Sequence, residues 1–95
     1  MNLSKTVAVT VGTPVVFDLS GWPVPTTVTA IPGGGGTLAI EVSTTETAVS
    51  NPGAASWVAW PSGTVSARAS NTLDGPVRAI RATATTAAGT LEVVS

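Results

Sequence analysis

The sequence contains no cysteine, no histidine and no tyrosine. The first two absences remove the thiolate and imidazole ligands of zinc sites, the Cys–His and Ser–His nucleophile pairs, and any disulfide framework. Charge is also scarce. Of 95 residues, 9% are charged: Lys5, Arg68, Arg78, Arg81, Asp18, Glu41, Glu46, Asp74 and Glu92, for a formal net charge of -1. Four scattered cations cannot neutralise a row of phosphates, so no nucleic-acid partner is expected. The acids are dispersed and form no D-x-D-x-D-G loop, so neither a metal nor another cofactor is expected. Long apolar runs are missing as well. The stretch Met1–Phe17 is interrupted by Thr6, Thr10, Thr13 and Pro14, which suits neither a signal-peptide core nor a membrane span.

What is present is small and β-prone. Ala (14), Val (14) and Thr (16) dominate, and bulky apolar side chains reduce to Phe17, Trp22, Trp57, Trp60 and a few Leu and Ile. Val and Thr fit a pleated surface. A core built mainly of Val and Ala in so short a chain is thin, and no cross-link reinforces it. Chains in that position gain stability by associating, so a homo-oligomer is expected.

Period-two alternation punctuated by Gly, Pro, Ser and Asn predicts an all-β fold: a single small antiparallel β-sandwich over residues 1–95, jelly-roll-like, with about eight strands. Lys5–Val11 alternates, with Val7, Val9 and Val11 on one side. Val15–Leu19 follows, with Val15, Phe17 and Leu19 inward, and the two read as a first hairpin. Ser20–Pro25 is a proline-stiffened connection, and Thr26–Ile31 resumes extended structure. Pro32–Gly36 reads as a mobile hairpin tip before Thr37–Ser43, the clearest strand, with Leu38, Ile40 and Val42 inward. Residues 44–55 form a polar loop. Trp57–Trp60 and Gly63–Ser70 flank a predicted turn at Pro61–Gly63, and 71–76 is a further turn. Val77–Ala84 and Thr90–Val94 read as a closing hairpin.

Candidate functional residues are few. Trp57 and Trp60 are three apart, so a regular strand sends one to the core and one to the surface. Trp22, between Gly21 and Pro23 in a loop, is the better placed to meet a ligand. Arg78 and Arg81 also face opposite sides of a strand. One is expected to pair with Glu41 or Glu92 and the other to reach a partner. Trp22, Trp60 and Arg78 form the candidate partner-binding set. A carboxylate pair for glycoside hydrolysis could come only from Glu41, Glu92 or Asp18, and neither a cleft nor an activated group can be named, so no enzymatic activity and no catalytic residue are expected; a glycosidase-like accessory domain would need two facing carboxylates in a cleft. Exposed tryptophans keep a second class open, a carbohydrate-binding or adhesion module stacking a sugar on Trp22 and one of Trp57 or Trp60.

The cadence Leu38-Ala39-Ile40-Glu41-Val42-Ser43-Thr44-Thr45, then Trp57-Val58-Ala59-Trp60-Pro61-Ser62-Gly63, then Leu73-Asp74-Gly75-Pro76-Val77-Arg78-Ala79-Ile80-Arg81-Ala82-Thr83-Ala84, resembles a group of small Ala/Thr/Val-rich virion structural proteins of tailed bacteriophages. The resemblance covers residues 26–94 and contains no catalytic motif. It implies a component of the virion, made in the host cytoplasm: a capsid decoration (cement) protein, or a head-fibre, tail or baseplate part. It also implies a homotrimer whose partners are the major capsid protein or other virion subunits. In that setting Lys5–Val11, with the leader before it, is a candidate arm onto a neighbour.

Overall fold

The computed structural model describes residues 3–75 and 77–95. Met1, Asn2 and Pro76 lie outside the described residues, and with them the start of the candidate arm and the last residue of the 71–76 turn. Among the described residues the chain forms eight strands: β1 (Ser4–Val9), β2 (Val15–Asp18), β3 (Thr26–Ile31), β4 (Thr37–Ser43), β5 (Val58–Val65), β6 (Ala69–Leu73), β7 (Ala79–Thr85) and β8 (Gly89–Val94). A single 3-10 turn spans Pro52–Ala54.

The strands make two antiparallel sheets, ordered β1-β8-β3-β6 and β2-β7-β4-β5. The pairings have a simple origin. First joins last (β1–β8), second joins seventh (β2–β7), third joins sixth (β3–β6) and fourth joins fifth (β4–β5). The chain is thus one long two-stranded ribbon with its tip at β4–β5, rolled up so that successive segments fall in opposite sheets. Lateral pairings β3–β8 and β4–β7 close the roll. This is the jelly-roll order, and the all-β sandwich expected from the sequence is the observed fold.

Rolling the ribbon overturns the predicted hairpins. β1 and β2 do not pair, nor do β7 and β8, and Pro32–Gly36 carries the chain from one sheet to the other. Alternation fixes which side of a strand is apolar but is silent about which strand lies beside it. β1 leaves its sheet after Val9. Val11, expected inward, bridges Ala84 of β7 in parallel and is 49% exposed. β1 itself is bound to β8 along Ser4–Val9, so within this chain it is a sheet edge and not a free arm. The predicted Pro61–Gly63 turn is a bulge inside β5. Ala39 opposes Thr64 and Glu41 opposes Ala59, so four residues of β5 lie opposite the single Ile40 of β4, three extra residues. Gly63 supplies the left-handed conformation there, with φ 62°. Residues 66–68 make the actual break, and β6 takes up the first half of the predicted 71–76 turn.

The core lies between the sheets. Val9, Val28, Ala30, Leu73, Leu91 and Val93 come from one sheet, and Leu38, Ile40, Trp60, Val65, Ile80, Ala82 and Ala84 from the other, with Leu19 closing one end. β3 shows the logic residue by residue: Thr26, Val28 and Ala30 are buried and alternate with half-buried Thr27, Thr29 and Ile31. Buried Thr26 meets its hydrogen-bonding need by donating Oγ1–H to the Pro23 carbonyl at 2.8 Å.

Candidate functional site

The two ends of the sandwich are built differently. At one end the connections 10–14, 32–36, 66–68 and 86–88 are short. A side chain at Gly33 would run into the Ala88 carbonyl oxygen, and one at Gly36 would lie 2.9 Å from the Ala87 backbone nitrogen, so these turns press directly on each other. At the other end sit the connections 19–25, 44–57 and 74–78, together with the Leu3–Ser95 backbone pair (3.3 and 2.8 Å). Loops carry binding surfaces when a rigid scaffold positions them.

A hollow of about 360 Å³ opens among these long loops. Its lining combines apolar Leu19, Trp22, Val24, Leu73 and Val77 with polar Ser20, Thr26, Thr44 and Arg78. Backbone bonds stitch the walls together: Leu19 N–H donates to the Arg78 carbonyl (2.9 Å), Arg78 N–H to the Ser43 carbonyl (2.8 Å), and Trp22 N–H to the Leu19 carbonyl (3.0 Å). Three connections distant in sequence are thereby held in one rigid rim. Trp22 is half-buried and meets Phe17 edge to face, with ring centroids 5.3 Å apart and planes at 80°.

Two of the polar groups belong to a relay. Arg78 donates from Nη1 to Ser20 Oγ at 2.9 Å, and the Ser20 backbone N–H donates to Asp18 Oδ1 at 2.8 Å. The Ser20 hydroxyl, then its backbone N–H, hold the Asp18 carboxyl below its ordinary range; Arg78 adds to this, while slight desolvation opposes it. Asp18 itself is exposed and does not line the hollow. Among the described residues Arg78 has no carboxylate within ion-pair distance, unlike Arg68, which lies 3.6 Å from Glu92, and Arg81, which lies 2.7 Å from Glu41. The hollow therefore presents one guanidinium, several hydroxyls and apolar side chains, with no carboxylate in its lining.

Two of the three residues singled out from the sequence, Trp22 and Arg78, meet in this hollow. Trp60 does not join them. It is 2% exposed, packs in the core, and donates its indole N–H to the Gly63 carbonyl at 2.5 Å. It has no surface to offer a partner; the bulge in β5 turns it inward and supplies the acceptor its N–H needs. Trp57 is the outer of the two. It is half-buried beside the sheet β2-β7-β4-β5, with the Arg81 guanidinium 4.5 Å from its ring centroid and its indole N–H on the Pro52 carbonyl at 2.9 Å. Arg81 in turn reaches Glu41 Oε1 through Nε (3.0 Å) and Nη2 (2.7 Å), the cross-strand pair expected from the sequence. The two-ring platform for a sugar thus loses Trp60, and Trp57 has one face occupied.

Among the described residues, four of the five exposed large apolar side chains lie toward the long-loop end; the fifth, Val11, is 49% exposed in the 10–14 connection at the opposite end. Val24 lines the hollow, Val49 lies in 44–57, Val58 begins β5 directly after that loop, and Val94 ends β8; they are 45%, 40%, 63% and 48% exposed. Sequence reasoning missed Val24, Thr26, Thr44, Leu73 and Val77 as lining residues, because nothing local marks residues that meet only after the roll forms. Among the described residues no group of three or more Asp and Glu side chains could hold a metal ion, and no helix is long and apolar enough to cross a membrane. No protein-family model matches the sequence, and no curated protein matches it.

Proposed function

We propose that this chain is a structural component of a tailed-bacteriophage virion, a capsid decoration protein that docks through its long-loop end onto capsid subunits and associates with its own copies as a trimer. The observation that carries the reading is that exposed Val24, Val49, Val58 and Val94 all lie toward the long-loop end, Val24 in the hollow itself, on a surface otherwise short of charge. An apolar face rimmed by Ser and Thr hydroxyls is what a partner interface requires. The sequence cadence shared with virion proteins and a jelly roll with one tightly closed end support the same reading. Many copies on a repeating shell would multiply a modest individual affinity.

The test is co-sedimentation of the purified chain with purified phage capsids, alongside light scattering for the subunit number. Val58→Asp places a charge on a side chain that is 63% exposed and should leave folding intact while abolishing capsid binding. Unchanged binding by this variant and by Val24→Asp, or no binding by the wild type, overturns the proposal. A second reading, a glycan-binding adhesion module, is favoured by one observation: Trp22 lines an open hollow beside hydroxyls and a guanidinium. Binding to a glycan array that is lost in Trp22→Ala, with no binding to capsids, would select it.

A further inference from the structure

Arg78 is half-buried, its backbone is bonded on both sides, and its side chain is anchored at one nitrogen by Ser20. The rest of its donor fork has no carboxylate partner among the described residues. A guanidinium held in place at one nitrogen is pre-organised for a planar anion, most of all a carboxylate, which it can bind through two parallel hydrogen bonds. The same lining carries apolar Leu19, Trp22, Val24 and Val77. A ligand that satisfies both kinds of lining group carries a carboxylate beside an apolar body.

We propose that the hollow receives a segment of a partner protein in which a large apolar side chain seats against Trp22, Val24 and Val77 while a neighbouring carboxylate engages Arg78. This rests on the docking reading and names its chemistry. Asp18 does not pre-empt the fork, because its carboxylate is turned to Ser20 and lies outside the lining. A protein segment is favoured over a sugar acid because the bulky side chains of the lining, Leu19, Trp22, Val24, Leu73 and Val77, are aliphatic and aromatic, which rewards an apolar body over a polyhydroxylated ring. The volume of about 360 Å³ admits one bulky side chain with its carboxylate and little more.

The experiment is a ¹⁵N NMR titration of the full chain with three probes: N-acetylphenylalanine with its free carboxylate, the matching carboxamide, and glucuronate. The expected result is shifts confined to the Ser20, Gly21, Trp22, Gly75 and Arg78 amides and the Trp22 indole N–H. The acid should bind about tenfold more tightly than the carboxamide, a preference that falls in high salt. Arg78→Gln should erase the preference, and Arg78→Lys should keep only part of it; if Arg78→Gln fails to fold, the acid–carboxamide comparison on the wild type and Arg78→Lys decide. Equal binding of acid and carboxamide, or no binding, overturns the proposal. So does tighter binding of glucuronate, which would assign the hollow to a sugar acid. Shifts of the same amides on raising the protein concentration alone also overturn it, by identifying the occupant as a second copy. No capsid enters this titration, so its failure and a failure to bind capsids are separate results.

Discussion

Arg81 ties the long 44–57 loop to the sheet beneath it, and the size of that tie can be worked out. Glu41 and Arg81 are direct partners in the β4–β7 register. Two nitrogens of the guanidinium converge on Glu41 Oε1, at 3.0 and 2.7 Å, and the side chains are 30% and 26% exposed. A cross-strand ion pair with this geometry and partial burial contributes about 0.5–1 kcal/mol. The guanidinium also lies 4.5 Å from the centre of the Trp57 ring. A stacked cation at a partly exposed site adds about 0.5–1 kcal/mol. Arg81→Met keeps most of the stem and removes both interactions, so it should cost about 1–2 kcal/mol. In a domain of this size that is a fall in Tm of roughly 5–15 °C. Glu41→Gln should cost about half as much, and the double variant should show a coupling energy of about 0.5–1 kcal/mol. Urea denaturation followed by tryptophan fluorescence reads the stabilities, and Trp57 should shift its emission when Arg81 is removed. Arg81→Lys retains the charge but loses the flat fork, and should recover less than half of the loss. A lysine variant as stable as the wild type, or a coupling energy below about 0.3 kcal/mol, would refute the reasoning.

Three further outcomes are expected. Gly33→Ala forces a methyl group into the Ala88 carbonyl at the closed end and should destabilise by about 2 kcal/mol or more, read by thermal denaturation; a neutral effect would mean that the two turns do not press together. Trp60→Phe leaves the Gly63 carbonyl without its indole donor and a gap in the core, so it should cost about 2–3 kcal/mol in chemical denaturation while capsid binding of the folded fraction is unchanged; a binding defect without a stability defect would return Trp60 to the surface. Asp18 has its carboxyl held below the ordinary value of 3.8, so its contribution is present above that pH and disappears as pH falls through the lowered value. Asp18→Asn should therefore differ in stability from the wild type near neutral pH and converge with it toward pH 2, by a small amount because the group is exposed; a gap that widens on acidification contradicts the assignment.

The strands that were legible were those with strict alternation between strong punctuation. The expected Thr26–Ile31 and Thr37–Ser43 are β3 and β4 residue for residue. Partner choice was not legible, because β1, β2, β7 and β8 carry the same apolar-face pattern whether they pair with sequence neighbours or across the roll. The three-residue spacing of Trp57 and Trp60 correctly placed one inside and one outside. Which was which depended on the bulge at Pro61–Gly63, whose signal, Pro followed by Gly, reads equally as a chain reversal. At the hollow, Trp22 stood out as an aromatic in a proline-flanked loop and Arg78 as one of two arginines, three apart, of which one was expected to pair with a carboxylate and the other to reach a partner. Val77 and Thr44 carried no such mark, since their role comes from convergence of segments far apart in sequence.

The winding of the ribbon also dictates when the molecule becomes safe in solution. β8 fills the slot between β1 and β3, and β7 the slot between β2 and β4. A nascent or clipped chain lacking residues 79–94 would hold two isolated ladders, β3–β6 and β4–β5, each with an open flank that β7 or β8 ordinarily covers. Such flanks recruit other strands indiscriminately. Proteolysis ahead of Ala79 should therefore produce aggregates rather than a smaller soluble fragment, and synthesis is exposed to that hazard until its final two strands have emerged.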